Sequence, residues 1–279
     1  MTKTHSQNNP DSLLKTTAPI IQVDGIQVGY DRHIISDNLS LSIPEHGYTA
    51  IIGPNACGKS TLLRAVARIL KYKNGHILLD GTEISTIPTK QLATKLGLLP
   101  QSSLSPEGIR VADLIARGRH PHQGIFDRWS EKDEQIVAEA MAATGISSLS
   151  GRLVDELSGG QRQRVWVAMV LAQQTPVLLL DEPTSFLDIT HQYGLLELFE
   201  KLRQDLNRTI VVVLHDLNQA ARYATHLIVM KDGEIVTAGP PSSIITAELI
   251  EKVYDLPCRI VPDPETGTPM VIPKAKIPH

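Results

Sequence analysis

Residues 53 to 61 read GPNACGKST and match the phosphate-loop pattern G-x-x-x-x-G-K-[ST]. In such a loop, backbone N–H groups at a helix N-terminus point at phosphate oxygens. Lys59 is placed to reach the β- and γ-phosphates, and Ser60 to ligate Mg²⁺. The pattern therefore predicts a site for nucleotide phosphates and Mg²⁺ formed by Gly53, Pro54, Asn55, Ala56, Cys57, Gly58, Lys59, Ser60 and Thr61.

Two carboxylates follow the apolar run PVLLLDE, residues 176 to 182. If this run is a strand of a parallel sheet, Asp181 and Glu182 lie at the carboxyl edge, where such sheets bind ligands. We expect Asp181 to hold Mg²⁺ directly or through water, and Glu182 to orient and polarise an attacking water. Two acids after a buried strand also begin ordinary loops, so this assignment depends on the phosphate loop.

A second anion-binding feature is LSGGQRQR, residues 157 to 164. Ser158 can cap a helix, while Gly159 and Gly160 let backbone amides approach an anion closely. The sequence therefore predicts a second phosphate-facing helix start. One nucleotide needs only one such cradle, so this feature requires another explanation.

The elements around these motifs alternate between strand and helix. YTAIIG (48 to 53) reads as a strand, and the apolar residues from Lys59 to Leu70 have helical spacing, which places the phosphate loop between them. PVLLLDE and TIVVVLHD (209 to 216) are each followed by a helical pattern. This alternation predicts a parallel sheet covered by helices.

The remaining segments suggest additions to that sheet. Asp24-Gly25 and Asp232-Gly233 predict hairpins, and the texture between Gln101 and Leu157 predicts a helical insertion. We expect a disordered lead-in (1–18), one domain (19–255, with the insertion at about 102–160) and a loosely packed Pro-rich tail (256–279).

Composition excludes several classes. Among 279 residues, 27 Lys and Arg face 30 Asp and Glu, so a net charge of −3 provides no global attraction to nucleic acid. No apolar stretch approaches the ~20 residues of a membrane-spanning helix, and the start lacks a signal-peptide pattern. The two cysteines are far apart in sequence, which favours a reduced, cytosolic chain.

Taken together, GPNACGKST, LSGGQ, VLLLDEP and VLHD in this order resemble the ATP-binding cassette of ABC transporters, over about residues 20 to 253. The resemblance implies an α/β fold: a P-loop NTPase core with a mainly parallel sheet, an N-terminal antiparallel β subdomain and an inserted α-helical subdomain. It also implies a homodimer of cassettes paired head to tail. The signature of one cassette (Ser158, Gly159, Gly160 and Gln161) would then cap ATP held by the phosphate loop of the other, which explains the second cradle.

The resemblance also implies roles for single residues. Tyr30 matches the aromatic residue that stacks on adenine, and Gln101 the glutamine that senses Mg²⁺ and the attacking water. Asp188 matches the acid that communicates across the dimer, and His215 the histidine that contacts the γ-phosphate. The implied catalytic residues are Glu182, His215, Lys59 and Gln101, and the implied magnesium ligands are Ser60, Gln101 and Asp181.

Ala56 departs from the family pattern, which usually has glycine there. We expect Ala56 to adopt a negative φ, because alanine at positive φ costs roughly 1 kcal/mol or more. Cys57 could be a thiol activated by the helix N-terminus, although a tolerated small residue is the simpler interpretation. His120 and His122 could suggest a metal site, but a surface loop is the simpler interpretation here too, because no acidic or cysteine ligand is nearby in sequence.

Within the family, LPQSSLSPEGIRVADLIARGRHPH and PTSFLDITHQ look like the ATPases of bacterial iron–siderophore importers. This implies integral membrane permease subunits and a separate substrate-binding protein as partners, no nucleic acid, and a location at the cytoplasmic face of the inner membrane. The region after Gln101 through His122 would receive a short permease helix. Haem, cobalamin or metal-ion import, and a soluble ABC ATPase outside transport, remain alternatives.

Overall fold

A computed structural model describes residues 19–31, 33–101, 105–124 and 128–275; the predicted lead-in lies outside these ranges. The strands are β1 (Pro19–Tyr30), β2 (His33–Pro44), β3 (Tyr48–Ile52), β4 (His76–Leu79), β5 (Thr82–Glu83), β6 (Leu96–Leu99), β7 (Val177–Asp181), β8 (Thr209–Val213), β9 (His226–Lys231), β10 (Glu234–Gly239), β11 (Cys258–Pro262) and β12 (Pro269–Pro273). The α-helices are α1 (Lys59–Val66), α2 (Thr89–Lys95), α3 (Val111–Ala116), α4 (Glu131–Ala143), α5 (Gly159–Ala172), α6 (Ile189–Leu206), α7 (Leu217–Tyr223), α8 (Pro241–Ile244) and α9 (Ala247–Tyr254). Short 3-10 helices span Arg117–His122, Ser147–Leu149 and Val154–Glu156.

The central sheet has the strand order β10-β9-β3-β8-β7-β6. Its neighbouring pairs from β9 to β6 are parallel, and β10 joins antiparallel through the predicted Asp232-Gly233 hairpin. The predicted mainly parallel sheet is thus confirmed. Because β3, β7 and β8 are parallel neighbours, the segments that follow them meet at one edge of the sheet.

The central sheet is buried on both faces, as expected for a parallel sheet between layers. Along β8, Ile210 and Val212 pack into one core cluster, while Val211 and Val213 pack into another. The first cluster includes apolar residues of α3 to α7, and the second includes residues of α1 and of the N-terminal sheet. This two-sided packing fixes the strands whose ends carry the predicted site.

The N-terminal sheet is antiparallel, with the order β2-β1-β4-β5. The hairpin predicted at Asp24-Gly25 is wrong, since β1 continues through it. Gly25 has a φ of 61°, and the pairing of β1 with β2 shifts register between Val23 and Ile26. The glycine therefore serves a β-bulge, another structure that favours positive φ, and not a reversal of the chain.

Helices α3, α4 and α5 pack together beside the core, in the region where the sequence predicts helices. A capping box formed by Ser130 and Asp133 begins α4. Asp133 also accepts a 2.9 Å hydrogen bond from the buried Arg119, whose guanidinium donates to the Ala172 carbonyl at the end of α5. This buried ion pair ties the helices to one another.

The C-terminal segment is not the loosely packed tail that its proline content predicts. Strands β11 and β12 form a hairpin, and β12 lies against α7. Asn218 accepts from the Val271 amide at 2.7 Å and donates to the Val271 carbonyl at 3.3 Å. Arg222 donates to Asp263 at 2.6 and 3.0 Å. These polar anchors, together with the buried Val271 side chain, explain the difference.

Candidate functional site

The phosphate loop lies between β3 and α1, as its sequence predicts. Lys59 is buried and its ammonium group donates to the carbonyls of Gly53 and Pro54, at 3.0 and 2.8 Å. Gly53 has a φ of 155°, and a Cβ there would lie 2.2 Å from the Met230 carbonyl oxygen. The Lys59 side chain therefore folds back onto the first residues of the phosphate loop. Glycine is required at position 53, because the loop passes close to the β9 backbone there.

The expectation that Ala56 adopts a negative φ is wrong, because its φ is 60°. The chain reverses sharply between Gly53 and Gly58, and Ala56 takes a left-handed conformation within this reversal. Its side chain is exposed, so no packing compensates for the strained backbone. Lys59 nevertheless keeps its hydrogen bonds to the Gly53 and Pro54 carbonyls, so the strain at Ala56 has not displaced the lysine.

Asp181, at the end of β7, lies under the loop and is 1% exposed. Ser60 donates a 2.7 Å hydrogen bond to Oδ1 of Asp181, whereas Oδ2 is buried and has no hydrogen-bond partner in the described residues. Burial raises the pKa of the Asp181 carboxyl, and the bond from Ser60 opposes this shift. A buried carboxylate oxygen left unpaired beside a serine hydroxyl fits Mg²⁺, which prefers oxygen ligands.

Glu182 and His215 meet at the carboxyl edge of the sheet. The His215 Nε2 atom is 2.6 Å from Oε1 of Glu182, whose side chain is 11% exposed while the histidine is 47% exposed. Ser185 donates to Oε2 of Glu182 at 3.2 Å. Glu182 has a φ of 52°, which directs the chain away from the strand immediately after the second acid. Ser185 was not among the predicted residues, because its contact depends on this turn.

Lys59, Ser60, Glu182 and His215 line one cavity of about 520 Å³, whereas Asp181, Gly53 and Pro54 are not in its lining. It is lined by His33, Ile35, Asn55, Ala56, Cys57, Gly58, Lys59, Ser60, Thr61, Gln101, Glu182 and His215. Tyr30 is not part of this lining; it is 42% exposed and its hydroxyl accepts a 3.0 Å hydrogen bond from Arg64 of α1. Sequence reasoning missed His33 and Ile35, although the pairing of Tyr30 with His33 in the β1–β2 hairpin places them close together.

The signature residues lie at a different cavity, of about 370 Å³. Ser158 caps α5 by accepting from the Gln161 amide, and Gln161 accepts from the Ser158 amide in return. Asp188 lines the same cavity and caps α6, and its pKa is lowered by hydrogen bonds from the His191 amide and side chain. The two helix starts that the sequence predicts to face phosphate thus line different cavities within this chain.

Two further sequence features, Cys57 and the pair His120 and His122, lie in the following surroundings. Cys57 is 4% exposed, and burial raises the pKa of its thiol, contrary to an activated cysteine. His120 and His122 are both exposed, and Nε2 of His122 is 2.6 Å from the Gln173 carbonyl oxygen. Within the described ranges, no group of three or more His, Cys, Asp or Glu could hold a metal ion. No helix in those ranges has the length and apolar character to cross a bilayer.

Comparisons with known proteins identify the family of this chain. The family model described as ABC transporter matches residues 36–185. The ferric enterobactin transport ATP-binding protein of Escherichia coli is 52% identical over 89% of this chain and 92% of its own length. A siderophore transport system ATP-binding protein of Bacillus subtilis is 46% identical over 92% of this chain and 93% of its own.

Solved structures give the same assignment. A metal-chelate type ABC transporter in an inward-facing conformation has a TM-score of 0.78 at 27% identity, covering 92% of this chain and 98% of that one. A dimeric bacterial ABC transporter cassette has a TM-score of 0.72 at 26% identity, covering 79% and 98%. The chain therefore belongs to the ABC transporter family, as an ATP-binding protein.

Proposed function

We propose that this chain is the ATP-hydrolysing subunit of a bacterial importer of iron–siderophore complexes. The observation that carries the cargo class is the 52% identity to the ferric enterobactin protein across about nine-tenths of both chains. Relatives named for petrobactin and achromobactin, each 46% identical, support the same class. The metal-chelate transporter structure is consistent with it.

In this proposal the phosphate loop binds the β- and γ-phosphates of ATP. Gly58, Lys59, Ser60 and Thr61, at the start of α1, line the cavity, so the phosphates would meet the N-terminus of a helix there. Lys59 would exchange its carbonyl partners for phosphate oxygens. Because those partners are neutral, the exchange places the buried ammonium beside a compensating negative charge.

Ser60, Asp181 and Gln101 would hold Mg²⁺. The unpaired Oδ2 of Asp181 supports this assignment, since a buried carboxylate oxygen without a partner carries a desolvation cost that a cation would offset. Mg²⁺, when bound, neutralises charge on the phosphates. Ser60 would offer the ion the hydroxyl that now donates to Asp181, and Gln101, which follows β6 and lines the cavity, would offer its side-chain oxygen.

Glu182 would orient the attacking water and accept its proton, while His215 would bind the γ-phosphate side. Their 2.6 Å contact supports these roles, because one end of the histidine is already held by the carboxylate that must face the water. Phosphoryl transfer needs mainly positioning and charge stabilisation. Ser185 would fix the other carboxylate oxygen of Glu182 and thereby its orientation.

The second cradle would act in trans. The separation of the signature cavity from the phosphate-loop cavity supports a head-to-tail homodimer, since each cavity then has a use. Ser158, Gly159, Gly160 and Gln161 of one subunit would cap ATP on the other, and Asp188 would lie at the contact. The dimeric structure of the related bacterial cassette is consistent with this pairing. Tyr30 would stack on adenine after its ring turns from the position held by Arg64.

The membrane partners would be permease subunits, with a separate substrate-binding protein, at the cytoplasmic face of the inner membrane. The helical segment through His122 would contact the permease; residues 102–104 of it lie outside the described ranges. Crosslinks from the exposed Arg117 to a co-expressed permease would support this contact. Crosslinks restricted to the chain ends would contradict it.

The ATPase assignment is tested by Glu182→Gln in the full chain. We expect ATP binding to persist, hydrolysis to fall at least about 100-fold, the lower bound for loss of a general base, and a closed dimer to accumulate with ATP. Hydrolysis is measured as phosphate release and the dimer by size-exclusion chromatography. Hydrolysis by Glu182→Gln at the wild-type rate would show that the role is wrongly assigned.

The cargo is tested by uptake in a strain that lacks this chain. Plasmid-borne wild type should restore ATP-dependent uptake of a labelled iron–siderophore complex, and Glu182→Gln should not. Labelled haem and cobalamin are the comparison substrates. If the wild type restores uptake of haem or cobalamin but not of the siderophore complex, the cargo assignment is wrong and the ATPase assignment stands.

A further inference from the structure

Three buried or half-buried glutamines connect the two cavities within one chain, although none of them lines either cavity. Gln219 lies in the first turn of α7 and is 4% exposed. Its Nε2 donates to Oε1 of Gln192, on α6, at 2.9 Å. Nε2 of Gln192 in turn donates to the Leu187 carbonyl at 3.0 Å. The two side chains thus form one bridge from α7 to the segment before α6.

The α7 end of this bridge lies beside the predicted catalytic pair. The backbone N–H of Gln219 donates to the Asp216 carboxylate at 2.8 Å, and Asp216 immediately follows His215. The first turn of α7 is therefore held on one side by Asp216 and on the other by Gln192. A displacement of His215 would act on this turn through Asp216, the residue that follows it.

The α6 end of the bridge lies against the signature. A Cβ on Gly160 would be 3.3 Å from Leu187 Cδ2 and 3.4 Å from the Phe186 carbonyl oxygen, so the two segments are in close contact. A second link runs directly from the signature helix, because Nε2 of the buried Gln163 donates to the Pro183 carbonyl at 3.1 Å. Pro183 immediately follows Glu182.

These contacts form a closed series. Glu182 contacts His215, and Asp216, the next residue, contacts the first turn of α7, from which the bridge leads to the Phe186–Leu187 segment against the signature. Gln163 of the signature helix then bonds back to Pro183, next to Glu182. We infer that Gln192 and Gln219 are positioning residues that couple the γ-phosphate side of a subunit's own site to the signature it presents to its partner. The inference rests on the proposed head-to-tail dimer. Each ATP would then bias the signature that caps the other ATP, and hydrolysis would be cooperative in ATP.

The test measures ATP hydrolysis by the full chain against ATP concentration, for wild type, Gln219→Met, Gln192→Met and the double variant. Methionine keeps the length of the side chain and removes the amide. Gln204→Met is the matched control, since Gln204 is an exposed α6 residue whose side chain, among the described residues, bonds to Glu200 on its own helix. Thermal unfolding reports whether each variant is folded. Gln192, which is only half-buried, carries the test if Gln219→Met does not fold.

We expect the wild-type Hill coefficient to lie above 1, with 2 as its limit for two sites, and the control to match it. Both single variants should move it toward 1 and lower kcat about fivefold, the factor for one hydrogen bond of about 1 kcal/mol. The half-saturating ATP concentration should rise in both single variants, because each ATP no longer favours binding of the other, although no direct contact with ATP is lost. The double variant should be no worse than the singles, because they remove one bridge.

A purely structural role would change stability and leave the Hill coefficient unchanged, and that result would overturn the inference. A wild-type coefficient of 1, or single effects that multiply in the double variant, would overturn it as well. Absence of any ATP hydrolysis by the wild type would instead refute the proposed function itself. The two failures are therefore distinguishable.

Discussion

Replacing Ala56 with glycine should stabilise the chain without nucleotide, although glycine usually destabilises. Ala56 has a φ of 60°, a conformation that costs an L-residue roughly 1–2 kcal/mol and costs glycine almost nothing. The side chain is exposed, so its removal leaves no cavity. The added freedom of glycine in the unfolded chain opposes the gain by about 0.4–1 kcal/mol. The net expectation is a gain of about 0.5–1 kcal/mol.

The assay is thermal unfolding without nucleotide, where a gain of this size raises Tm by roughly 1–4 °C for a domain of this length. Ala138→Gly is the matched control, because Ala138 is equally exposed but lies inside α4, a right-handed helix. There the same substitution should destabilise by about 0.5–1 kcal/mol. If Ala56→Gly lowers Tm as Ala138→Gly does, the backbone of Ala56 is not strained and the reasoning is refuted.

Three other outcomes follow from the geometry. Asp181→Asn should raise the Tm of the nucleotide-free chain at neutral pH, because the raised pKa of this buried carboxyl means that its ionised form destabilises the fold. The same variant should show a smaller further rise of Tm when MgATP is added. The Tm difference between variant and wild type should grow as pH rises above about 4, as measured by thermal unfolding across pH. Asp263→Asn should speed hydrogen exchange in β11 and β12, because it removes the carboxylate that accepts from Arg222. In the wild type this ion pair should weaken as pH falls through the pKa of Asp263, which is lowered below its ordinary value of 3.8. Unchanged hydrogen exchange would show that Arg222 does not hold the hairpin. Cys57 should resist alkylation at pH 7 in the folded chain and react after unfolding, as followed by mass spectrometry, because burial raises the pKa of its thiol.

The sequence predicts the central sheet well because its strands are buried on both faces. Runs such as VLLL and IVVV are short, rich in apolar residues and each followed by a helical pattern, which favours buried parallel strands, and the residues that follow such strands gather at one edge. That logic places Lys59, Asp181, Glu182 and His215 together without any knowledge of their contacts. The 2.6 Å approach of His215 to Glu182 was not predicted and is known only from the structure.

The failures have a different origin, because each depends on contacts distant in sequence. Asp24-Gly25 is compatible with both a hairpin and a bulge, and the pairing of β1 with β2 on both sides of it decides between them. The proline content of the C-terminal segment does not reveal that Asn218 and Arg222 anchor it. The positive φ of Ala56 results from closing the phosphate loop on Lys59, which outweighs the local preference of alanine.

The surface beside the signature explains why the proposed dimer should depend on ATP. Phe186 is 82% exposed and Ile189 is 70% exposed, on either side of Asp188. Burying both side chains in each of two subunits would stabilise the dimer by roughly 6–12 kcal/mol, at about 1.5–3 kcal/mol for each of the four side chains. Association itself costs an estimated 4–15 kcal/mol, so these contacts alone leave the dimer marginal. In the proposed dimer, the nucleotide held by one subunit and capped by the signature of the other would supply the rest of the association free energy, and its hydrolysis would remove that contribution.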